Sequence, residues 1–370
     1  MRMAAVPLRD PAGAFDGGPV TGGVVVTGAD GALGRRVVAL LRGARDARPV
    51  LALAAPGAGD RGASAYRPID LLVDDLEPVV DGAAVIVHLA SAFGPTLDED
   101  PAIDRAEDVT AAQRLLEAAG DAGVAHLVVL SSATVYGAWA NNALPLTEDA
   151  TLRPGPELAF AVQRAEIERR VAEWRQDHPA ATAAVLRPAP VVGDDGEIGW
   201  LAQALHAARR VADLGGDPPA QFLHVDDLAA AVVLAATAHL DGARNVAPDG
   251  WLRGAEYTAL DAGTPKLRLP PPVGDRVARL RGRLRLTPTP PGLRSYARHP
   301  WVIANDRLKA DGWIPAHSNE EAFVDGTPAT ALATLSPRRR QELALGVSGG
   351  VLAVGLAAGT WAGLRRRARR

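Results

Sequence analysis

The stretch Val24-Val25-Val26-Thr27-Gly28-Ala29-Asp30-Gly31-Ala32-Leu33-Gly34 constrains the fold of this chain more than any other. A β-branched apolar run enters a turn with glycine at every third position, and the helical pattern Arg35-Arg36-Val37-Val38-Ala39-Leu40-Leu41 leaves it. That order fits the first strand, turn and helix of a dinucleotide-binding fold. Gly28 is expected to let the chain turn sharply, Gly31 to admit a pyrophosphate against the backbone, and Gly34 to let helix and strand pack closely. The phosphates would then rest on the N–H groups of Ala32 and Leu33 at the helix N-terminus, where the dipole favours negative charge.

The rest of the chain supports an alternating α/β reading. Val50 to Ala54 and Tyr66 to Leu72 read as short strands, and Val85 to Ala90 as a strongly apolar one. A helix is expected from Asp104 to Ala119, a strand over His126 to Leu130, a charged helix over Glu157 to Arg175, and a strand over Ala183 to Leu186. Strands and helices alternating at this spacing imply a doubly wound, mostly parallel sheet, whose ligands bind at the carboxyl ends of the strands. His88, Ser131, Ser132 and Arg187 all fall there.

Composition narrows the chemistry. The 370 residues carry a net charge of −3, which argues against nucleic acid as the main partner. There is no cysteine, so thiolate catalysis and cysteine-ligated metal sites are excluded, and no metal site is expected. Lysine occurs only at Lys266 and Lys309, and arginine carries nearly all the positive charge.

Several segments, taken in order, resemble the extended short-chain dehydrogenase/reductase family, especially its NAD-dependent epimerase/dehydratase branch. They are Thr27-Gly28-x-x-Gly31-x-x-Gly34, Asp70, His88-Leu89-Ala90-Ser91, Ser131-Ser132-Ala133-Thr134-Val135-Tyr136-Gly137, Leu186-Arg187-Pro188, and Phe222-Leu223-His224-Val225-Asp226-Asp227. The match covers about residues 22 to 320. The resemblance implies that Asp70 contacts the adenine end of the cofactor, that His88, Leu89 and Ala90 run beside it, and that Pro188 lies near the nicotinamide. It implies that Ser132 donates a hydrogen bond to the substrate oxygen at the reacting carbon. From the residues alone, Asp70 equally suits a turn cap and His88 a core histidine, while Asp226 and Asp227 are expected to cap a helix from Leu228 to Ala236.

The cofactor is NAD or NADP. An acidic residue at the end of the second strand commonly holds the adenosine ribose of NAD, but here Ala54-Ala55-Pro56-Gly57 stands in its place. Arg35 or Arg61 is positioned in sequence to meet a 2′-phosphate. The resemblance favours NAD.

The same resemblance implies a Tyr-x-x-x-Lys pair on the helix after the serine, both side chains on one helical face. The lysine charge lowers the tyrosine pKa so that the phenol exchanges a proton while hydride moves. In this chain the matching stretch is Phe160-Ala161-Val162-Gln163-Arg164. Phenylalanine has no proton to give, and Arg164 keeps its charge and is expected to hold the cofactor's ribose hydroxyls, but it titrates too high to shuttle protons. None of the four tyrosines, Tyr66, Tyr136, Tyr257 and Tyr296, has lysine four residues on. Tyr136 is the first candidate for a substitute acid–base and His88 the second.

The expected layout is a flexible leader over residues 1–21, a dinucleotide-binding core over 22–188, and a substrate-binding part interwoven with it over 189–330. A basic linker spans 331–342, a transmembrane helix 343–364 and a basic tail 365–370. Pro270 to Arg285 reads as a basic amphipathic segment. Leu343 to Leu364 is 22 residues without a charge, flanked by arginine triplets, with Trp361 near one end; that length spans a bilayer. The reading is a membrane-associated protein with its large domain in the cytoplasm, and assembly as a homo-oligomer is left open. Two functions follow. One is an epimerase/dehydratase-like enzyme acting on a nucleotide-sugar or on a lipid-linked or steroid-like alcohol. The other is an NAD(P)-binding sensor or scaffold that has lost the chemistry.

Overall fold

The run Val24–Thr27 (β1) is buried along its whole length, as an apolar, β-branched strand must be when helices cover both faces of a parallel sheet. The structure is a computed structural model and describes residues 20–57, 66–91, 101–193, 199–209, 211–213, 218–261, 267–283, 290 and 292–326. The elements below belong to one unit, Met1–Leu260 with Lys266–Gly326.

After β1 come α1 (Ala32–Gly43), β2 (Val50–Ala54), β3 (Arg67–Pro68), α2 (Glu77–Val80), β4 (Val85–His88), α3 (Pro101–Asp121) and β5 (His126–Leu130). A 3₁₀ turn over Ala133–Tyr136 leads to α4 (Ala159–Asp177), β6 (Thr182–Pro188), β7 (Val191–Val192), α5 (Trp200–Arg209), β8 (Val211–Asp213) and β9 (Leu223–His224). The chain continues through α6 (Val225–Thr237), β10 (Gly242–Val246), α7 (Gly254–Leu260), β11 (Leu267–Leu269) and α8 (Pro271–Arg283). It closes with α9 (Leu293–Arg298), α10 (Asp306–Ala310) and α11 (Asn319–Gly326).

Seven strands form one parallel sheet in the order β10-β6-β5-β4-β1-β2-β3. Successive residues of each strand point to opposite faces. Val24, Val26, Val85, Val87 and Val128 therefore pack with α1 and α6, while Val25, Ile86, Leu127 and Val129 pack with α3 and α4. Two cores, one on each face, hold the sheet between helix layers, which is the doubly wound α/β arrangement. The register aligns the strand ends: Thr27 pairs with Leu53 on one side and His88 on the other, and His88 with Val129. The order reverses between β1 and β4, and such a reversal opens a crevice beyond the carboxyl ends. β10 arrives late in sequence yet pairs with β6, so the chain after residue 189 returns to the same sheet.

Three local expectations are corrected. The strand expected over Tyr66 to Leu72 is only Arg67–Pro68, because Asp70 bends the chain by accepting the Leu72 N–H through Oδ1 (2.9 Å). The helix expected from Leu228 begins at Val225, and its N-cap is His224, whose Nδ1 accepts the Asp226 N–H (3.2 Å). Asp226 and Asp227 lie inside the first turn instead, Asp226 paired with Arg36 (2.5 Å) and Asp227 accepting the N–H groups of Ala316 (2.9 Å) and His317 (3.0 Å). The leader, the basic linker, the expected transmembrane helix over 343–364 and the tail lie outside the described residues, apart from residues 20 and 21. Among the described residues no helix is long and apolar enough to cross a membrane.

Candidate cofactor and substrate site

The glycine turn lies at the reversal point. Gly28 has φ +66°, and a Cβ there would stand 2.8 Å from the Ala90 nitrogen, so the β1 turn and the end of β4 touch backbone to backbone. At Gly34 a Cβ would stand 2.1 Å from the Gly28 carbonyl oxygen, which fixes how closely α1 approaches β1. Gly31 differs: its φ is −65°, and a Cβ there would meet nothing nearer than the Gly28 oxygen at 3.4 Å. The protein's own atoms require glycine at 28 and 34 and leave space beside 31. α1 starts on Gly31 with no side-chain cap, so the first-turn N–H groups of Ala32 and Leu33 suit an anion.

The surrounding residues fit a dinucleotide in part. Thr27 and His88 are joined, Oγ1 to Nδ1 at 2.8 Å, and Thr27 Oγ1 also accepts the Ala90 N–H (3.4 Å). The Leu89 N–H donates to the Thr27 carbonyl (3.3 Å), which holds the Leu89-Ala90 backbone against the turn. Asp70 caps its own turn through one oxygen while staying half-buried at the end of β3. At the end of β2, Ala55, Pro56 and Gly57 are exposed and carry no carboxylate; Arg61 lies outside the described residues. Arg35 curls back so that Nη1 donates to the Asp30 carbonyl (2.5 Å), beside the glycine turn. Pro188 is buried at the end of β6, paired with Val246.

Ser132 stands just past the end of β5. It caps the 3₁₀ turn, its Oγ accepting from the Thr134 N–H (3.2 Å) and the Thr134 hydroxyl (3.0 Å). The hydroxyl is thus held at the head of that turn.

The substitute acid–bases fare differently. Tyr136 is buried, 1% exposed, and its hydroxyl donates to Asn245 Oδ1 (2.8 Å) while accepting from Arg187 Nη1 (2.8 Å). Burial pushes its pKa up to about 12, against the opposing pull of Arg187. The phenol is thus bonded in both directions inside the core. His88 is buried as well. Burial first, and then the Arg164 charge, hold its pKa down at about 4. Its ring lines an apolar interior space with Leu115, Ile167 and Val171, so it is a neutral core histidine.

Phe160 and Arg164 sit one turn apart at the head of α4. Phe160 is buried and meets the Trp200 ring edge-on at 4.9 Å. Arg164 lies 5.1 Å from the Phe160 ring centre, donates through Nη1 to the Leu130 carbonyl (2.9 Å), and faces Asp108 on α3 at 3.7 Å. Desolvation lowers the Arg164 pKa, and Asp108 counters it. Asp108 also accepts from Ser91 Oγ (2.7 Å) and from Gln163 Nε2. Arg164 is thus held on the protein's own acceptors, one at the end of β5 and one on α3.

Sequence reasoning missed the supports. Asp108, Gln163, Glu168 and Asn245 are all buried, and Arg187 forms a buried ion pair with Glu168 (Nη2 to Oε2, 2.6 Å) beneath Ser131, which donates to the same carboxylate. One signal was present. Phe160, Arg164, Ile167, Val171 and Trp174 recur at helical spacing, and a charged residue inside an apolar stripe marks a buried polar cluster. Beyond Ser132 and Pro188 a cavity opens, beginning at Ala133 and Ala189.

Sheet order, glycine turn and strand-end serine together define a dinucleotide-binding protein of the doubly wound class. The chain belongs to the NAD-dependent epimerase/dehydratase family, which it matches over residues 24–247. The UDP-glucose 4-epimerase of Thermotoga maritima, solved with UDP-glucose, is 18% identical with a TM-score of 0.61, covering 82% of this chain and 97% of that one. The UDP-glucose 4-epimerase of Thermus thermophilus, solved with NAD, is 22% identical with a TM-score of 0.61 and the same coverage, 82% and 97%. The UDP-N-acetylglucosamine 4-epimerase of Methanobrevibacter ruminantium, in complex with UDP-N-acetylmuramic acid, is 19% identical with a TM-score of 0.62, covering 83% and 97%. At these identities the likeness is one of fold. No curated protein matches the chain in sequence.

Proposed function

We propose that this chain binds NAD at the β1 turn and a small-molecule ligand beside Ser132, and that the tyrosine-dependent chemistry of an epimerase or dehydratase does not run in it. One observation carries the reading: Phe160 occupies the position of the proton-exchanging phenol, while Arg164 is tied to the Leu130 carbonyl and Asp108. The protein then serves as an NAD-binding sensor or scaffold. Bound NAD would offer a hydride acceptor at its nicotinamide, and the Tyr-x-x-x-Lys pair that would take the accompanying proton is replaced here by Phe160-x-x-x-Arg164. A second reading, turnover of a nucleotide-sugar, is favoured by Ser132 just past the end of β5 and by the substrates named for the epimerases above.

The test is titration with NAD(H) and NADP(H), followed by a search for nicotinamide redox change in the presence of candidate ligands. NAD(H) is expected to bind without turnover in the native chain. A Phe160→Tyr, Arg164→Lys variant is expected to gain turnover by about 10²-fold or more, the worth of general acid–base help. Full turnover by the native chain would decide for the second reading, and binding of neither cofactor would defeat both. We also propose that residues 343–364 anchor the chain to a membrane, supported by that run's length and its flanking arginines. A full-length protein no less soluble than one ending at Pro337 would defeat the anchor.

A further inference from the structure

Helix α8 turns an apolar stripe toward solvent. Val273 and Leu280 are exposed, at 40% and 57%, and Val277 between them is half-buried. Spacings of four and three residues put these three on one face of the helix, and Leu284 follows in sequence at the same period. An amphipathic helix of a folded domain ordinarily turns such a stripe to the core. Here a different face is the inward one. Gly274 is buried, and Asp275 pairs with Arg294 (Nε to Oδ1, 2.5 Å) and Arg298 (Nη2 to Oδ1, 2.8 Å) of α9. These two positions stand about 100° and 200° around the helix from Val273, and α8 runs against β8 and β11.

The stripe is bordered by arginine. The sequence of α8 holds Arg276, Arg279, Arg281 and Arg283, while Asp275, its one acid, is turned to α9. Arg276 is exposed. Positions 276, 279 and 283 succeed one another at three and four residues along one border of the stripe, and position 281 falls on the other. Lys266 and Arg268 precede the helix in sequence and Arg285 follows it, all of the same sign. A chain whose net charge is −3 thus concentrates positive charge on one short element.

Apolar residues between basic borders fit a surface that is oily beneath an anionic layer. Valine and leucine gain by entering the acyl boundary, and arginine is attracted to anionic headgroups. A nucleic acid would meet the arginines and leave the apolar stripe in water, and α8 has no aromatic ring on which a base could stack. A partner helix would cover the stripe, but helix pairs are commonly matched by flanking positions of both signs, and here both borders are basic. We infer that α8 docks on an anionic lipid surface, with Val273, Val277 and Leu280 toward the acyl chains. The contact is independent of the cofactor cleft and of residues 343–364.

The chain has no cysteine, so full-length Leu280→Cys carries a single thiol for an environment-sensitive fluorophore on the stripe. Leu40→Cys, at an exposed position of α1, carries the same label as the control. The probes are vesicles of phosphatidylcholine alone and of phosphatidylcholine with phosphatidylglycerol. The Leu280→Cys label is expected to brighten and shift to the blue with the anionic vesicles and not with the neutral ones, and the Leu40→Cys label with neither. Raised salt should weaken the response. Adding Arg276→Gln, Arg279→Gln and Arg283→Gln should raise the anionic lipid needed for half the response about 10²-fold, with the urea midpoint, which reports the fold, unchanged. An equal response to neutral vesicles, no response to either kind, or a response that the three substitutions leave untouched would overturn the docking. A response to RNA or polyglutamate and to no vesicle would overturn it in favour of those partners. Flotation of the native chain with vesicles, without a response at Leu280→Cys, would leave the membrane contact to residues 343–364 and defeat α8. A response without NAD(H) binding would uphold α8 and defeat the cofactor reading.

Discussion

At the scale of single residues, Tyr136 separates position from role. It stands four residues after Ser132, as a cleft residue would, yet its hydroxyl bridges Asn245 and Arg187 in the core. Tyr136→Phe is therefore expected to cost about 1–3 kcal/mol of stability, because two buried polar partners lose their hydrogen bond. NAD(H) affinity should not change. Denaturant unfolding beside calorimetry checks this, and a variant as stable as the parent would contradict the network. The sequence shows the glycines and the serine clearly because backbone space and a strand end dictate them. It hides the role of Tyr136 because the deciding partner, Asn245, lies 109 residues away. The ion pair of Arg187 with Glu168 is hidden for the same reason: no local spacing joins a strand end to the middle of a helix.

At the scale of elements, the glycine turn yields a contrast between neighbours. Gly34→Ala forces a Cβ to 2.1 Å from the Gly28 carbonyl and should destabilise the protein by several kcal/mol, on the order of other overpacking changes or more. Gly31→Ala meets only an ordinary contact at 3.4 Å and should leave the melting temperature nearly unchanged while abolishing NAD(H) binding. Loss of binding in neither variant would remove the cofactor from this turn. The strands themselves carry a pH signature. His126 in β5 sits between Thr182 Oγ1 (Nδ1, 2.8 Å) and the Ala235 carbonyl (Nε2, 2.9 Å), and burial holds its pKa at about 4, as it does for His88 in β4. The unfolded chain protonates these rings near pH 6.5, and the folded chain refuses the proton until about pH 4. Stability is therefore intact above about pH 6.5 and falls as pH drops toward 4, by up to roughly 3 kcal/mol per histidine. His126→Gln should flatten that fall between pH 7 and 5, measured by urea titration. Element type and order were legible from apolar runs and helical spacing. The ends were not, because Asp70 and His224 act through side-chain bonds to nearby backbone that polarity patterns do not carry.

At the scale of the whole molecule, the sheet is not assembled from one continuous stretch. Its edge strand β10 lies beyond three minor strands and two helices, and Asn245 within it completes the Tyr136 and Arg187 network. A fragment ending at Pro188 should therefore show no cooperative thermal transition and no NAD(H) binding, whereas one ending at Gly326 should show both. Circular dichroism melts and calorimetry distinguish them, and a cooperatively folding short fragment would contradict the picture. The alternating pattern made the parallel sheet legible, while the return of β10 was less so. A five-residue strand, Gly242–Val246, with arginine and asparagine near its centre lacks the apolar run that marked the others.

That late strand also sets a clock for synthesis. Between the addition of Pro188 and that of Val246 a ribosome works for several seconds, at roughly 5–20 residues per second. Once β6 has emerged, it is the outermost strand of the sheet until β10 follows to pair with its free edge. An open edge is where a chain recruits another chain. The nascent protein is thus most exposed to mispairing, and most dependent on a chaperone, after its cofactor turn has been made and before its sheet can close.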